Sequence, residues 1–442
     1  MGILKDSGVK KVYRKIYEQL KKWKDNEFRK PLIIYGARQI GKTYSMLEFG
    51  QAEYDNVAYF NFENSADLNS IFLKDLKTER IITELSILKG ISIIPGRTLI
   101  IFDEIQACEK AVTFLKYINE EANEYHLIAA GSLLGMALNR KGFSFPVGKV
   151  DIINMYPMTF EEFLTALNED SIKKAIVNAV KDMQPLSEAM HNKALEIYRT
   201  YLTVGGYPEA VARYIQKRDF DYVRAVQGNI SDAYIADMTK YSTSADTVKA
   251  IAAYNSLPSQ LAKENSKFMY SVIKSSARAK DYESAINWLM DAGVVIRCNR
   301  VTEGNMPLKI YEDILAFKMY YSDVGLLSMK VGIPANNVVH NLQISDKMRG
   351  ILAENYVAQE LSAKGITPYY WVSDNQAEVD FVIQIQDKVV PIEVKSSDNV
   401  RARSLGIYRK KYMPEYAVRV SAKNIGFENG IKSIPLYGLF AL

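Results

Sequence analysis

The stretch PLIIYGARQIGKTYSMLEF, Pro31 to Phe49, decides how the rest of the chain is read. An apolar run, Leu32-Ile33-Ile34-Tyr35, leads straight into Gly36-Ala37-Arg38-Gln39-Ile40-Gly41-Lys42-Thr43, and a helix-compatible run, TYSMLEF, follows. Those residues fit G-x-x-x-x-G-K-[ST], and strand–loop–helix is the setting in which that pattern does chemistry. Gly36 and Gly41 let the backbone wrap closely around an anion without a side-chain clash. Successive amide N–H groups then point inward, and the helix N-terminus adds partial positive charge. Lys42 brings a full charge to the β- and γ-phosphates, and Thr43 offers a hydroxyl to Mg²⁺.

A triphosphate site also needs a carboxylate on a neighbouring strand. TLIIFDE, Thr98 to Glu104, supplies it. Leu99 to Phe102 read as a buried strand with Asp103 at its C-terminal end, where ligands sit in such sheets. Asp103 is expected to hold Mg²⁺ through water, and Glu104 to activate the attacking water. Ser132, at the end of LIAAGS, is placed to hydrogen-bond the γ-phosphate or that water. Alone, Asp103-Glu104 would read as a capped turn after a core strand. With the glycine loop upstream, the nucleotide reading is preferred, although the base is not specified by these residues.

Around this stretch, short apolar runs recur at PLIIYG, VAYFNFE, TLIIFDE, LIAAGS and KVDIINMYP, with helical stretches between them. That alternation predicts a parallel α/β sheet with helices on both faces, over residues from about 25 to 158. KKVYRKIYEQLKKW, before it, spaces Val12, Ile16, Leu20 and Trp23 as one face of a helix. Residues 1–158 are therefore taken as a core with an N-terminal helix. Residues 159–254 read as a helical lid, broken at TVGGYPEA by Gly205, Gly206 and Pro208. Residues 255–335 read as two short helices and a β-ribbon, its strands after Gly293 and at PLKIYE, which is the order of a winged helix. Such modules bind DNA or contact protein. Residues 336–442 open with a helix over KMRGILAENYVAQELSAKG and continue with strands at PYYWV, EVDFVIQI and VVPIEVK.

The chain has 442 residues, 48% hydrophobic and 24% charged, which fits several domains with real cores and excludes a disordered chain. Cys108 and Cys298 cannot build a disulfide framework, and with three histidines a His/Cys zinc site is not expected. No apolar run reaches membrane-spanning length and the first residues lack the apolar core of a signal peptide, so a cytoplasmic protein is expected. The net charge of +5 is mild but local, with basic clusters at Lys10–Lys24 and Arg401–Lys411. These are solvated helix faces or the footprint of a phosphate-rich partner.

The hairpin AEVDFVIQIQDKVVPIEVKSS, Ala377 to Ser397, raises a second question. With a two-residue turn at Gln386-Asp387, Ile385 pairs with Lys388, Asp380 faces Glu393 and Glu378 faces Lys395. Those polar residues share one face, while Val379, Phe381, Ile383, Val390, Ile392 and Val394 share the other. Facing carboxylates are unfavourable unless a cation sits between them. Mg²⁺ or Lys395 could fill that role, and a metal there could polarise a phosphodiester. An amphipathic hairpin with a solvated, salt-bridged face is the other reading of the same pattern.

Taken together, GARQIGKT, LIIFDE, AAGSLLG, MYPMTFEEFL, VGGYPEAV, KMYYSDVGLL, GILAENYVAQEL and AEVDFVI…PIEVKSS resemble the prokaryotic AAA-type P-loop ATPases that carry a C-terminal domain of unknown function. The resemblance implies ATP as ligand, Mg²⁺ as its partner, ATP hydrolysis, a helical lid, a winged helix and a terminal restriction-endonuclease-like α/β domain. That fold's D…E-x-K pattern falls on Asp380, Glu393 and Lys395, with Glu354 at the helix position, so Glu354, Asp380 and Glu393 become metal candidates and Lys395 a catalytic one. Lys149 stands where the family usually has arginine, and Arg140 is the one candidate arginine finger. The implied function is ATP-dependent action on DNA; the alternative is an ATP-driven switch or scaffold that binds protein or nucleic acid without cutting it. A protein partner and a homo-oligomer are compatible with either, a membrane with neither.

Overall fold

The computed structural model describes residues 13–63, 65–131, 146–241, 244–263, 267–373, 377–396 and 403–442. The chain divides into two compact units, Arg14–Tyr156 and Pro157–Leu442, each built around its own sheet.

The first unit holds five strands: β1 (Leu32–Tyr35), β2 (Asn56–Asn61), β3 (Thr98–Asp103), β4 (His126–Ala130) and β5 (Asp151–Asn154). They lie in the order β2-β3-β4-β1-β5, and every pair is parallel. Each coincides with one of the apolar runs read from the sequence. β3 and β4 are buried throughout, as strands covered on both faces must be. Phe60, Phe62, Phe72, Phe102 and Phe114 interlock edge to face beneath β2 and β3. The first described helix, Ile16–Lys24, buries Ile16, Leu20 and Trp23 as its spacing demands; Val12 lies outside the described residues.

The second unit begins with helices from Phe160 to Leu261. Thr159 and Glu162 cap the first of them reciprocally. Helices Tyr270–Ile273 and Ala279–Asp291 follow, then β6 (Val295–Val301) and β7 (Glu312–Tyr321). The second ribbon strand therefore starts where PLKIYE ends: Leu308–Tyr311 forms a 3-10 turn, and the strand runs on through the apolar segment up to Tyr321. Pro307 has no N–H for a ladder, which favours the turn there.

After helices Val324–Val331, Ala335–Val339 and Asp346–Ala363 come β8 (Tyr369–Val372), β9 (Glu378–Ile385) and β10 (Lys388–Val394). Helix Arg403–Tyr412, β11 (Ala417–Ser421), β12 (Gly426–Glu428) and β13 (Ile431–Pro435) complete the unit. The mixed sheet runs β12-β13-β11-β10-β9-β8-β6-β7. The ribbon expected to form a wing is thus the edge of the C-terminal sheet. Asn299, Arg300 and Val301 of β6 pair parallel with Tyr369, Tyr370 and Trp371 of β8. The sheet crosses the boundary expected at 335/336, because the free edge of β6 finds its ladder partner beyond it.

Several phrases of the sequence owe their form to packing in this unit. Asp323 accepts from Leu326 N at 2.9 Å, capping the helix Val324–Val331, and from Gly206 N at 2.6 Å. A Cβ on Gly205 would lie 2.3 Å from Asp323 Oδ1, and one on Gly206 would lie 2.1 Å from Met158 O. VGGYPEA and SDVGLL are two sides of one junction. In the helix Asp346–Ala363, buried Asn355, Gln359 and Glu360 accept backbone N–H groups of Tyr321, Val324 and Phe160 at 2.8–2.9 Å. Among the described residues no helix is long and apolar enough to cross a membrane.

Candidate functional site

The glycine loop joins β1 to the helix Lys42–Glu53. Gly36 has φ +147°, and a Cβ there would lie 2.2 Å from Met155 O, so this position admits no side chain. Gln39 and Gly41 also take positive φ, 65° and 93°, which curls Ala37–Gly41 into a cup at the helix N-terminus. Lys42 is buried, and its ammonium donates to Gly36 O at 2.8 Å and Ala37 O at 2.7 Å. Its charge is thereby anchored on the loop's own backbone, where an anion seated on the amides would meet it. Arg14, also buried, clasps the loop from behind through Ile40 O at 2.5 Å and Tyr156 O at 2.6 Å.

β3 lies in the same sheet, and Asp103 ends it beside this cup. Thr43 Oγ1 donates to Asp103 Oδ2 at 2.7 Å, and Tyr59 OH donates to the same oxygen at 2.9 Å. Burial raises the Asp103 carboxyl above its usual range, and the bonds from Thr43 and Tyr59 work the other way. Glu104 follows in a left-handed conformation, φ +50°, and accepts from Gln106 Nε2 at 2.6 Å. A hydroxyl and a carboxylate side by side suit Mg²⁺, which takes one or two protein oxygens and completes its shell with phosphates and water. The residues present fit that ion. Ser132 and Arg140 lie outside the described residues. Lys149 pairs with Glu120 at 2.8 Å on the surface. Tyr59, Gln106 and Arg14 were not anticipated; nothing local in their sequence marks them, since each meets the site only through the fold.

In the second unit the hairpin turns at Gln386-Asp387, as read, while Glu378 pairs with Lys318 and Lys395 with Glu393. Ile385 pairs with Lys388 and Phe381 with Ile392, around a turn in which Gln386 has φ +53°. Asp380 Oδ2 accepts from Val394 N at 2.7 Å, and Lys395 Nζ pairs with Glu393 Oε1 at 2.7 Å. Glu354 comes from the helix Asp346–Ala363. Burial raises the carboxyls of Glu354, Asp380 and Glu393 above their usual range.

An unanticipated cation sits among them. Lys318 of β7 is fully buried, pairs with Glu378 and lies 3.8 Å from Glu354. Its sequence signal was a lone lysine inside the apolar run ILAFKMYY, since a lysine is almost never fully buried unless paired. Among the described residues no three His, Cys, Asp or Glu side chains are arranged to hold a metal ion. Where Mg²⁺ is expected at Glu354, Asp380 and Glu393, the protein supplies partners of its own: Lys395 pairs with Glu393, Lys318 lies beside Glu354, and Asp380 accepts the Val394 N–H.

Comparison with known proteins agrees with the first unit's geometry. Residues 28–164 match the family described as AAA domain. Residues 195–337 and 349–439 match two domains of unknown function, DUF8612 and DUF4143. An uncharacterized protein of Methanocaldococcus jannaschii is 23% identical over 217 residues, 45% of this chain; the match spans 42% of that protein's length. Among solved structures, the Walker-type ATPase of Pyrococcus abyssi is 13% identical, covering 73% of this chain and 96% of that one, with a TM-score of 0.46. The ORC2 protein of Aeropyrum pernix, in ADPNP–ADP complexes, is also 13% identical over 79% and 96% of the two chains, at a TM-score of 0.38. AMPPCP-bound DnaA of Aquifex aeolicus is 16% identical over 64% and 89%, at 0.30. The cup, its lysine and the Thr43–Asp103 pair on an all-parallel sheet fall within the stretch 28–164 that matches the AAA domain, and the two later stretches match domains of unknown function.

Proposed function

We propose that this chain binds and hydrolyses ATP at the cup formed by Gly36–Thr43, and that turnover drives action on DNA through the second unit. The observation that carries the first part is the 2.7 Å bond between Thr43 and Asp103 at the mouth of the cup, with Glu104 next in the chain. In this reading the loop amides and Lys42 bind the phosphates. Thr43 and Asp103 would hold Mg²⁺, which would neutralise phosphate charge there. Glu104 orients and deprotonates the attacking water, with Gln106 fixing its carboxylate. Ser132, by its place after the LIAAG run, is kept for the γ-phosphate or the attacking water. The test is Mg²⁺-dependent ATP turnover by the full chain. Glu104→Gln is expected to bind ATP and lower turnover by about 10²–10⁴-fold, the usual worth of a positioned base; normal turnover would remove Glu104 from that role.

The DNA part rests on the helix Arg403–Tyr412, where Arg403, Lys410 and Lys411 are exposed. A basic helix face of this kind suits a phosphate backbone. Fluorescence anisotropy with duplex and single-stranded DNA checks it. Binding that weakens with salt and with R403E/K410E supports the reading; salt-insensitive or absent binding favours an ATP-driven scaffold for a protein partner.

A further inference from the structure

We propose that Lys318 is the resident cation of the C-terminal carboxylate face, holding the place of a divalent ion and closing that face to metal. This goes beyond the ATPase reading and does not depend on it.

The argument starts from the sheet. Lys318 of β7 stands opposite Cys298 of β6, and both are fully buried. The lysine stem therefore cannot lead its ammonium to solvent, as most lysines do. The ammonium instead reaches across the sheet. It lies 5.1 Å from the ring centroid of Tyr370, pairs with Glu378 and sits 3.8 Å from Glu354. Tyr320 OH donates to that same Glu354 oxygen at 3.2 Å. At the far end of the face Lys395 holds Glu393 at 2.7 Å, and Arg419 is the ladder partner of Glu393.

The face thus carries four acidic groups, Glu354, Glu378, Asp380 and Glu393, against three built-in cations, Lys318, Lys395 and Arg419. A divalent ion would have to enter against those fixed charges, and the Lys318 ammonium would have to leave its enclosure to release Glu354. The lysine also makes the sheet continuous in charge: it ties β7 to β9 and to the helix Asp346–Ala363. That accounts for a lysine flanked in sequence by apolar residues.

The test is Mn²⁺ binding to the nucleotide-free full chain, followed by titration calorimetry and by the electron paramagnetic resonance of free Mn²⁺. Wild type should show no saturable binding that Asp380→Asn abolishes. Lys318→Met should gain such binding, with an affinity at least about tenfold above wild type, the scale on which ligand surroundings tune metal sites. Lys318→Arg should stay closed. Asp380-sensitive Mn²⁺ binding in wild type would overturn the proposal, as would a folded Lys318→Met that gains none. If Lys318→Met does not fold, the pairwise neutral K318M/E378Q carries the same expectation, and the wild-type measurement stands by itself.

Discussion

His126 opens β4 in the middle of the first unit's sheet, and it should make that unit acid-sensitive. The side chain is 8% exposed, hydrogen-bonds Tyr54 OH through Nδ1 at 2.7 Å, and meets the edge of Trp23. Burial pushes its pKa from the ordinary 6.5 down to about 4, and the charges of Arg29 and Lys24 push the same way. A depressed histidine contributes stability that is complete above the unfolded pKa and disappears as pH falls through the folded one. The window is therefore pH 6.5 down to about 4. The unfolded chain takes up the proton first, and the linkage costs about 2 kcal/mol by pH 5 and about 3 kcal/mol by pH 4. The assay compares urea unfolding of wild type and His126→Phe between pH 7.5 and 5, which cancels the carboxylates common to both. Wild type should lose about 2 kcal/mol relative to the variant over that range. Ring NMR resonances, few enough with three histidines to assign by substitution, should show His126 neutral at pH 5. A ring that titrates near 6.5, or two unfolding curves that shift in parallel, would refute the reasoning.

The junction between VGGYPEA and SDVGLL can be probed from both sides. Gly206→Ala puts a methyl 2.1 Å from the Met158 carbonyl, backbone against backbone, and should destabilise by about 3 kcal/mol or more. Asp323→Ala leaves the Gly206 and Leu326 N–H groups without their acceptor and should cost about 1–3 kcal/mol for each. Thermal melting checks both; unchanged midpoints would mean the junction rearranges freely.

What the sequence made legible was local. Each strand of the first sheet is a short apolar run bounded by polar residues, and the glycine pattern carries its own geometry, so the cup could be read from Gly36 to Thr43 directly. The hairpin register followed because a two-residue turn leaves only one parity for Asp380 and Glu393. What stayed hidden was contact between distant segments. Nothing near Lys318 announces Glu378 or Glu354, which the sheet order brings to it. For the same reason the ribbon of β6 and β7 read as a wing: its partner, β8, lies beyond three intervening helices. The strand placed at PLKIYE moved because a proline start is a poor ladder and the following apolar run a better one. Asn355, Gln359, Glu360 and Asp323 were quoted only as parts of family phrases, yet they are buried acceptors for backbone N–H groups.

The most direct measurement is the affinity of the purified full chain for a fluorescent ATP analogue in the presence of Mg²⁺, set beside Lys42→Ala. Saturable binding by wild type, with the substituted chain losing most of it, is the predicted result. No measurable binding by wild type, or binding that Lys42→Ala leaves intact, would contradict the account.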